Sequence, residues 1–355
     1  MKWNPLSYSR AFLGNDIGID LGTANTLVYV RGKGVIINEP SVVAVNQKTG
    51  QVVAVGKEAK QMLGRTPGHI RAVRPLQGGV ISDFEVTEEM LAYLIRKAEG
   101  SNKKLFGPRV VIGIPSNITN VESRAVRDAA QNAGAREVHI VEEPMAGAVG
   151  ARLPVQEPIG TMVIDIGGGT TDIAVISLGG IVSSKMTTVA GDRFNNDIIQ
   201  YVRSEFKTII GEKTAEDAKI AVARLVPGDV PVEKTIRGRD IVSGLPREIT
   251  LTDMHVREAL TASLESLADA IKEVVEMTPP EILGDVMQRG VFLFGGGALF
   301  PGLPRTFERM LGVPVHVVQD PLTAVVRGAG MITENVPFYE NILLSHADDI
   351  SPSLT

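Results

Sequence analysis

Apolar and polar positions alternate early in the chain. Ile17, Ile19 and Leu21 are spaced by small or polar residues, and Leu27, Val28, Tyr29 and Val30 follow a short polar interruption. This pattern predicts strand, turn, strand across "GIDLGTANTLVYV", with Asp20 at the mouth of the turn and Gly22 allowing a sharp bend. Further short strands are predicted at 35–38, 41–46 and 52–55. "TEEMLAYLIRKAEG" has helical spacing: Leu91, Leu94, Ile95 and Ala98 share a face, Thr87 is placed to cap the start and Gly100 to end it. "RVVIGIP" is a continuous apolar run closed by Pro115, as in a strand buried on both faces. In "TNVESRAVRDAAQNAG", Thr119 and Glu122 have capping-box spacing and Gly134 is the stop. "VHIVEEP" is another strand, so the order is that of helices packed on a sheet.

The second half opens on "TMVIDIGGGTTDIAVISL". Asp165, Gly167 and Thr170 repeat the arrangement of Asp20, Gly22 and Thr23: apolar strand, acid, glycine turn, hydroxyl, apolar strand. Two such hairpins imply two similar halves. Taken singly, either is an ordinary hairpin by turn propensity. Taken together they read as phosphate cradles, with backbone N–H groups and hydroxyls holding oxygens and the acids facing a metal. A third piece, "GVFLFGGGALFPGL", runs from a buried strand into Gly295, Gly296 and Gly297, where a base or ribose can lie against bare backbone. Neither a GxxxxGK[ST] loop nor a dinucleotide fingerprint is present.

Composition narrows the picture. At 355 residues, two or three domains are expected, and 44% hydrophobic residues supply real cores. A net charge of −5 gives no basic field for nucleic acid. The absence of cysteine rules out thiolate chemistry and fits a cytoplasmic setting, and the five histidines lack ligand spacing. No apolar run approaches the length of a spanning helix, and the N-terminus lacks the apolar core of a secretory signal.

In combination, "GIDLGTANTLVYV", "VVIGIPSNITNVESRAVRDAAQNAGAREVHIVEEPMAGAVGA", "IDIGGGTTDIAVISLGG" and "FLFGGGALFPGLP" closely resemble the MreB family of bacterial actin homologues, within the wider actin, sugar-kinase and heat-shock ATPase superfamily. The resemblance runs from about Asn15 to about Gly330. It implies an α/β, actin-like ATPase fold of two similar lobes, each with a large and a small subdomain, around a nucleotide cleft. The first lobe would span 1–148 (small subdomain about 33–81) and the second 149–330 (small subdomain about 191–244). Residues 331–355 would return to the first lobe; "YENILLSHADDISPSLT" lies outside the resemblance, and its Ser, Pro and Asp content predicts a mobile tail. The implied cofactors are ATP/ADP and Mg²⁺.

Carried over by the resemblance, Gly22, Thr23, Ala24 and Asn25 match the first phosphate loop, and Gly167, Gly168, Gly169 and Thr170 the second. Asp20 and Asp165 match acids that hold Mg²⁺, mostly through its waters. Glu143 matches the residue that orients the attacking water, with Thr170 and Asp172 as further catalytic help. "TAEDAK" matches an adenosine-contacting segment, giving Glu216, Asp217, Ala218 and Lys219. Gly295, Gly296, Gly297 and Ala298 match the adenosine motif. Asn195 stands where an acid is common, and "AVARL" after Lys219 departs from the family pattern. The small residues of "MAGAVGA" fit close helix packing, and the family adds a hinge between lobes.

The expected function is a polymerising ATPase that forms membrane-associated filaments and organises cell-wall elongation and rod shape. A small-molecule kinase and a chaperone-type ATPase are the alternatives. The former needs a substrate base and sugar pocket, and the latter normally carries a further substrate-binding domain. Implied partners are further copies of the chain in paired protofilaments, the inner face of the cell membrane, and RodZ-like membrane elongation proteins. Trp3, Leu6 and Phe12 beside Lys2 and Arg10, and Leu105 and Phe106 beside Lys103 and Lys104, are candidate membrane contacts. The expected location is cytoplasmic, peripheral at the inner membrane.

Overall fold

Alternation along β1 (Ile17–Leu21) and β2 (Asn25–Val30) buries Ile17, Ile19, Leu21, Val28 and Val30. The strands pair antiparallel, Ile17 opposite Val30 and Leu21 opposite Thr26. The computed structural model describes residues 15–100, 106–116, 118–228 and 230–344. Trp3, Leu6, Phe12, Leu105 and the end of the chain from 345 lie outside the described residues.

The chain divides into two units. Among described residues, unit 1 runs to Pro158, includes Ser177–Ile181 and resumes at Leu322; unit 2 comprises Ile159–Ile176 and Val182–Pro321. α4 (Glu143–Gly150) and α10 (Ala324–Glu334) pack together in unit 1.

In unit 1, β3 (Gly34–Pro40), β9 (Arg109–Ile114) and β10 (Glu137–Glu142) complete a sheet of order β10-β9-β1-β2-β3. β9 is parallel to both β1 and β10. Smaller sheets are built from β4 (Val43–Asn46), β5 (Val52–Val55) and β6 (Ile70–Val73), and from β7 (Leu76–Gln77) and β8 (Val80–Ile81). α1 (Lys57–Met62) packs on the first of these.

The helix α2 (Phe84–Glu99) buries Leu91, Leu94, Ile95 and Ala98, as the spacing predicted, but it begins before Thr87. Asp83 is the N-cap, accepting from Val86 N–H, while the buried Thr87 hydroxyl donates back to the Asp83 carbonyl. The reason is the acid four residues before Thr87: a carboxylate at that position satisfies the orphan Val86 amide and favours the helix N-terminus. α3 (Asn120–Asn132) has the predicted capping box of Thr119 and Glu122.

Unit 2 repeats the plan. β11 (Thr161–Ile166), β12 (Thr171–Ser177), β13 (Gly180–Thr187), β17 (Val291–Phe294) and β18 (Val315–Val317) form a sheet of order β13-β12-β11-β17-β18. β11 pairs antiparallel with β12 and parallel with β17, as β1 does with β2 and β9. α5 (Gly191–Glu205), α6 (Glu212–Val222) and α7 (Asp253–Met277) share its core with a small sheet of β14 (Thr208–Ile209), β15 (Glu233–Asp240) and β16 (Pro246–Thr252). α8 (Pro280–Arg289) and α9 (Leu303–Leu311) follow. Each buried Ile, Leu or Val in these cores is worth roughly 1.5–3 kcal/mol. Among the described residues no helix is long and apolar enough to cross a membrane.

Candidate functional site

In unit 1 the turn between β1 and β2 is Gly22–Asn25. A Cβ on Gly22 would sit 2.6 Å from the Asn25 carbonyl oxygen, so the turn closes this tightly only with glycine there. Ser41, fully buried, ties the turn from the next connection. Its hydroxyl donates to the Gly22 carbonyl at 2.5 Å and its N–H to the Ala24 carbonyl at 3.0 Å. The buried Thr23 hydroxyl accepts from Gly79 N–H at 3.0 Å, which leaves its own proton for another acceptor.

Asp20 stands opposite Leu27 on one side and Gly113 on the other. A Cβ on Gly113 would lie 3.6 Å from Glu143 Cγ, so Asp20, the turn and Glu143 gather at one end of the sheet. Glu143 opens α4 and is buried. Its helix is fixed by backbone contact with α10: side chains at Gly150 and Gly328 would collide with the carbonyls of Ala324 and Ala146. Arg327 of α10 donates to Thr323 Oγ1 at 2.6 Å and to the Gly150 carbonyl at 3.3 Å. The small residues of "MAGAVGA" therefore set the distance between two helices and, through it, the place of Glu143.

Unit 2 has the corresponding turn at Gly167–Thr170. Gly167 N–H donates to the Thr170 carbonyl at 2.9 Å, and a Cβ on Gly167 would meet that oxygen at 3.0 Å. Asp165 stands opposite Asp172 and beside Phe294. Both acids and Thr170 are buried. The structural repeat corrects one detail of the sequence reading. By register, Thr170 corresponds to Asn25 and Gly168 to Thr23, because the glycine closes on the residue three positions later in both turns.

Here the brace is a helix. Gly191 and Asp192, the first residues of α5, donate their N–H groups to the Gly167 and Gly168 carbonyls at 3.1 and 2.8 Å. Buried Lys219 of α6 donates its ammonium to the Gly191 carbonyl at 2.8 Å. Neither Ser41 nor Gly191 was singled out from sequence; a lone serine after proline and a glycine after alanine carry no periodic signal.

The remaining expected residues fall in unit 2. Glu216 is half-buried, Ala218 is buried, and Asp217 is exposed and paired with Lys213 at 2.9 Å. Gly295–Ala298 lie against the end of β11: side chains at Gly295 and Gly297 would collide with Asp165 and Ile166. Two of the three glycines are thus demanded by close strand packing, and Gly296 is the exposed one. Asn195 is buried, and its Oδ1 has no hydrogen-bond partner among the described residues. Phe106 is 52% exposed.

Burial raises the Asp20 carboxyl from 3.8 to about 7, although the side chain keeps some exposed surface. A carboxylate desolvated this far is stabilised as an anion by a cation beside it. Among the described residues no three His, Cys, Asp or Glu side chains cluster as a protein-only cage. A hard cation that keeps several waters and uses one or two carboxylates fits this donor set.

The family model described as MreB/Mbl protein matches residues 14–341. The cell shape-determining protein Mbl of Bacillus subtilis is 51% identical over 322 residues, 90% of this chain and 96% of that protein. The cell shape-determining protein MreB of Escherichia coli K12 is 48% identical over 340 residues, 95% of this chain and 98% of that protein. Among solved structures, Spiroplasma citri MreB5 bound to ADP superposes with a TM-score of 0.86 at 40% identity, covering 93% of this chain and 98% of that one. The MamK double helical filament, at 23% identity and a TM-score of 0.77 over 90% of this chain and 99% of that one, shares the fold.

Proposed function

Because this chain belongs to the MreB/Mbl family, we propose that it is an ATP-binding and ATP-hydrolysing bacterial actin. In this reading it polymerises into membrane-associated filaments and organises cell-wall elongation and rod shape. The observation that carries the reading is the pair of turns. Each follows an acid at a strand end, closes over a glycine, and has carbonyls tied back by hydrogen bonds. Solved relatives are bound to ADP and to AMPPNP.

Phosphoryl transfer to water needs positioning and charge stabilisation rather than a covalent catalyst. The amides of Gly22–Asn25 and Gly167–Thr170 would donate to phosphate oxygens. Asp20 and Asp165 would hold Mg²⁺, mostly through its waters, and the ion would neutralise phosphate charge. Glu143 accepts a hydrogen bond from the attacking water, with Thr170 and Asp172 as supporting groups. Gly295–Ala298 and the 216–219 segment contact the nucleoside. Phe106, with Leu105 and the N-terminal Trp3, Leu6 and Phe12, contacts the inner face of the cell membrane, and filament formation multiplies that weak contact by avidity. Further copies of the chain, in paired protofilaments, and RodZ-like membrane proteins are the proposed partners.

The test is purified protein with ATP and Mg²⁺, followed by phosphate release and electron microscopy. Filaments that pellet with liposomes are expected. Pelleting should fall when Leu105 and Phe106 become serine, and further when residues 2–14 are removed, while ATP hydrolysis survives. Absence of filaments together with a phosphorylated sugar would place the chain among the kinases of the superfamily instead.

A further inference from the structure

We propose that Ser41 is a positioning residue for phosphate binding, holding the first turn with two carbonyls inward and the amides after them outward. This rests on the nucleotide-binding reading above and assigns to that site a residue which touches no phosphate itself.

Ser41 has no exposed surface. Burying a hydroxyl is costly unless it is bonded, and this one is bonded twice. Its proton goes to the Gly22 carbonyl at 2.5 Å, an oxygen that can only accept. The 2.9 Å contact between Thr26 Oγ1 and Ser41 Oγ therefore has Thr26 as donor. The result is a directed chain from Thr26 to Ser41 to Gly22, and the Ser41 N–H adds the bond to Ala24 at 3.0 Å.

In a planar trans peptide the carbonyl and the following N–H point in opposite directions. Pinning the Gly22 carbonyl toward Ser41 thus aims the Thr23 N–H away from it, and pinning the Ala24 carbonyl aims the Asn25 N–H away. In unit 2 the same logic acts through α5, whose amides pin the Gly167 and Gly168 carbonyls and aim the Gly168 and Gly169 amides outward. At the first of these carbonyls, Gly22 or Gly167, one unit uses a helix N-terminus for what the other does with one serine; the second, Ala24 in unit 1 and Gly168 in unit 2, differs by one position in register. Without the serine, the Gly22–Thr23 peptide is free to rotate in a turn whose glycine permits it, and an outward carbonyl repels phosphate.

The prediction is selective for phosphate. In calorimetric titrations with Mg²⁺ present, Ser41→Ala should weaken ATP about tenfold, the scale of one charge-assisted hydrogen bond. Adenosine, measured by competition, should change less than about twofold on the same scale. Thr26→Val removes only the outer link of the chain. It should weaken ATP by about threefold, again sparing adenosine, and it decides the matter if Ser41→Ala does not fold. Equal loss for ATP and adenosine would mean general damage to the unit and would overturn the positioning role. So would ATP affinity that is unchanged in a folded variant while the parent binds ATP. A parent chain that binds no ATP overturns the underlying functional reading and this inference with it.

Discussion

The turn at Gly22–Asn25 and the turn at Gly167–Thr170 differ in how they are held more than in what they present. Both follow an acid two residues before a glycine, and both glycines close on a backbone carbonyl three residues later. Around them, β1 and β11 each have one antiparallel neighbour, β2 or β12, and one parallel neighbour, β9 or β17. The first turn is braced by the Ser41 side chain and main chain, the second by the N-terminus of α5 with Lys219 behind it. The lesson is that a carbonyl tied back at the turn's first glycine, Gly22 or Gly167, is the feature common to both units, and it can be met by unrelated means. The chemistry placed beside the turns also differs. Unit 1 has Glu143 at the start of α4, whereas unit 2 has Asp172 directly across from Asp165.

The largest expected effect tests that asymmetry. Glu143→Ala should slow phosphate release by roughly a hundredfold or more, in the range of lost acid–base positioning, with ATP affinity retained and filaments persisting longer. Lost affinity with unchanged turnover per bound ATP would give Glu143 a binding role and erase the distinction between the units.

Asp165→Ala comes next. An outer anchor of a metal is worth about 10- to 100-fold in activity, so hydrolysis should fall by that amount and need more Mg²⁺. Near-normal hydrolysis with the parental metal dependence would remove Asp165 from the site.

A smaller effect is expected from Lys219→Met, which keeps most of the buried stem and removes the ammonium from the Gly191 carbonyl. ATP affinity should fall by about three- to tenfold, because a charge-assisted hydrogen bond supports the α5 brace. Parental affinity in a folded variant would show that α5 needs no support from α6.

The smallest effect concerns Glu39, which is opposite Thr26 in the β2–β3 ladder and therefore close in sequence and register to the Ser41 brace. Burial acts to raise its carboxyl, but hydrogen bonds from the Lys97 ammonium at 2.8 Å and the Lys57 N–H at 2.9 Å outweigh it. The group titrates below its ordinary 4.5. The bond to Glu39, in turn, raises Lys97 above its ordinary 10.5. A lowered acid contributes stability above its unfolded value and loses it as pH falls through the folded one. A raised lysine contributes below its unfolded value and loses it as pH rises through the folded one. Lys97→Met should therefore cost about 0.5–1 kcal/mol at neutral pH, since Lys97 is largely solvated. The gap in thermal midpoint between variant and parent should close below about pH 4.5 and again above about pH 10.5. A gap independent of pH would assign the loss to packing.

Much of this was legible from residues alone, because the signals are local. Apolar runs mark β1, β2 and β11, which are buried over most of their length, and one acid before a glycine marks the end of β1 and of β11. A capping box at Thr119 and Glu122 is a three-residue geometry that needs nothing outside itself. The start of α2 was misplaced by four residues because Thr87 and Asp83 are both good caps by type. Their competition was settled by which one met an amide and which a carbonyl. Matching Thr170 to Thr23 followed the hydroxyl, whereas the register follows backbone closure.

What the sequence by itself determined is the strands that flank the two acid–glycine turns, the turns themselves and the family, since these depend on short-range pattern and residue type. Only the tertiary structure decided which groups brace the turns. Ser41 lies 19 residues from Gly22, Gly191 lies 24 residues from Gly167, and Gly150 meets α10 after more than 170 residues. A hydrogen bond or a backbone contact depends on separations of a few ångströms in space. No periodicity in the chain encodes such a distance between elements so far apart. The Gly150 and Gly328 pair makes this concrete: each reads in sequence as a weak helix residue, and each is required because a carbonyl of the other helix occupies the place of its side chain.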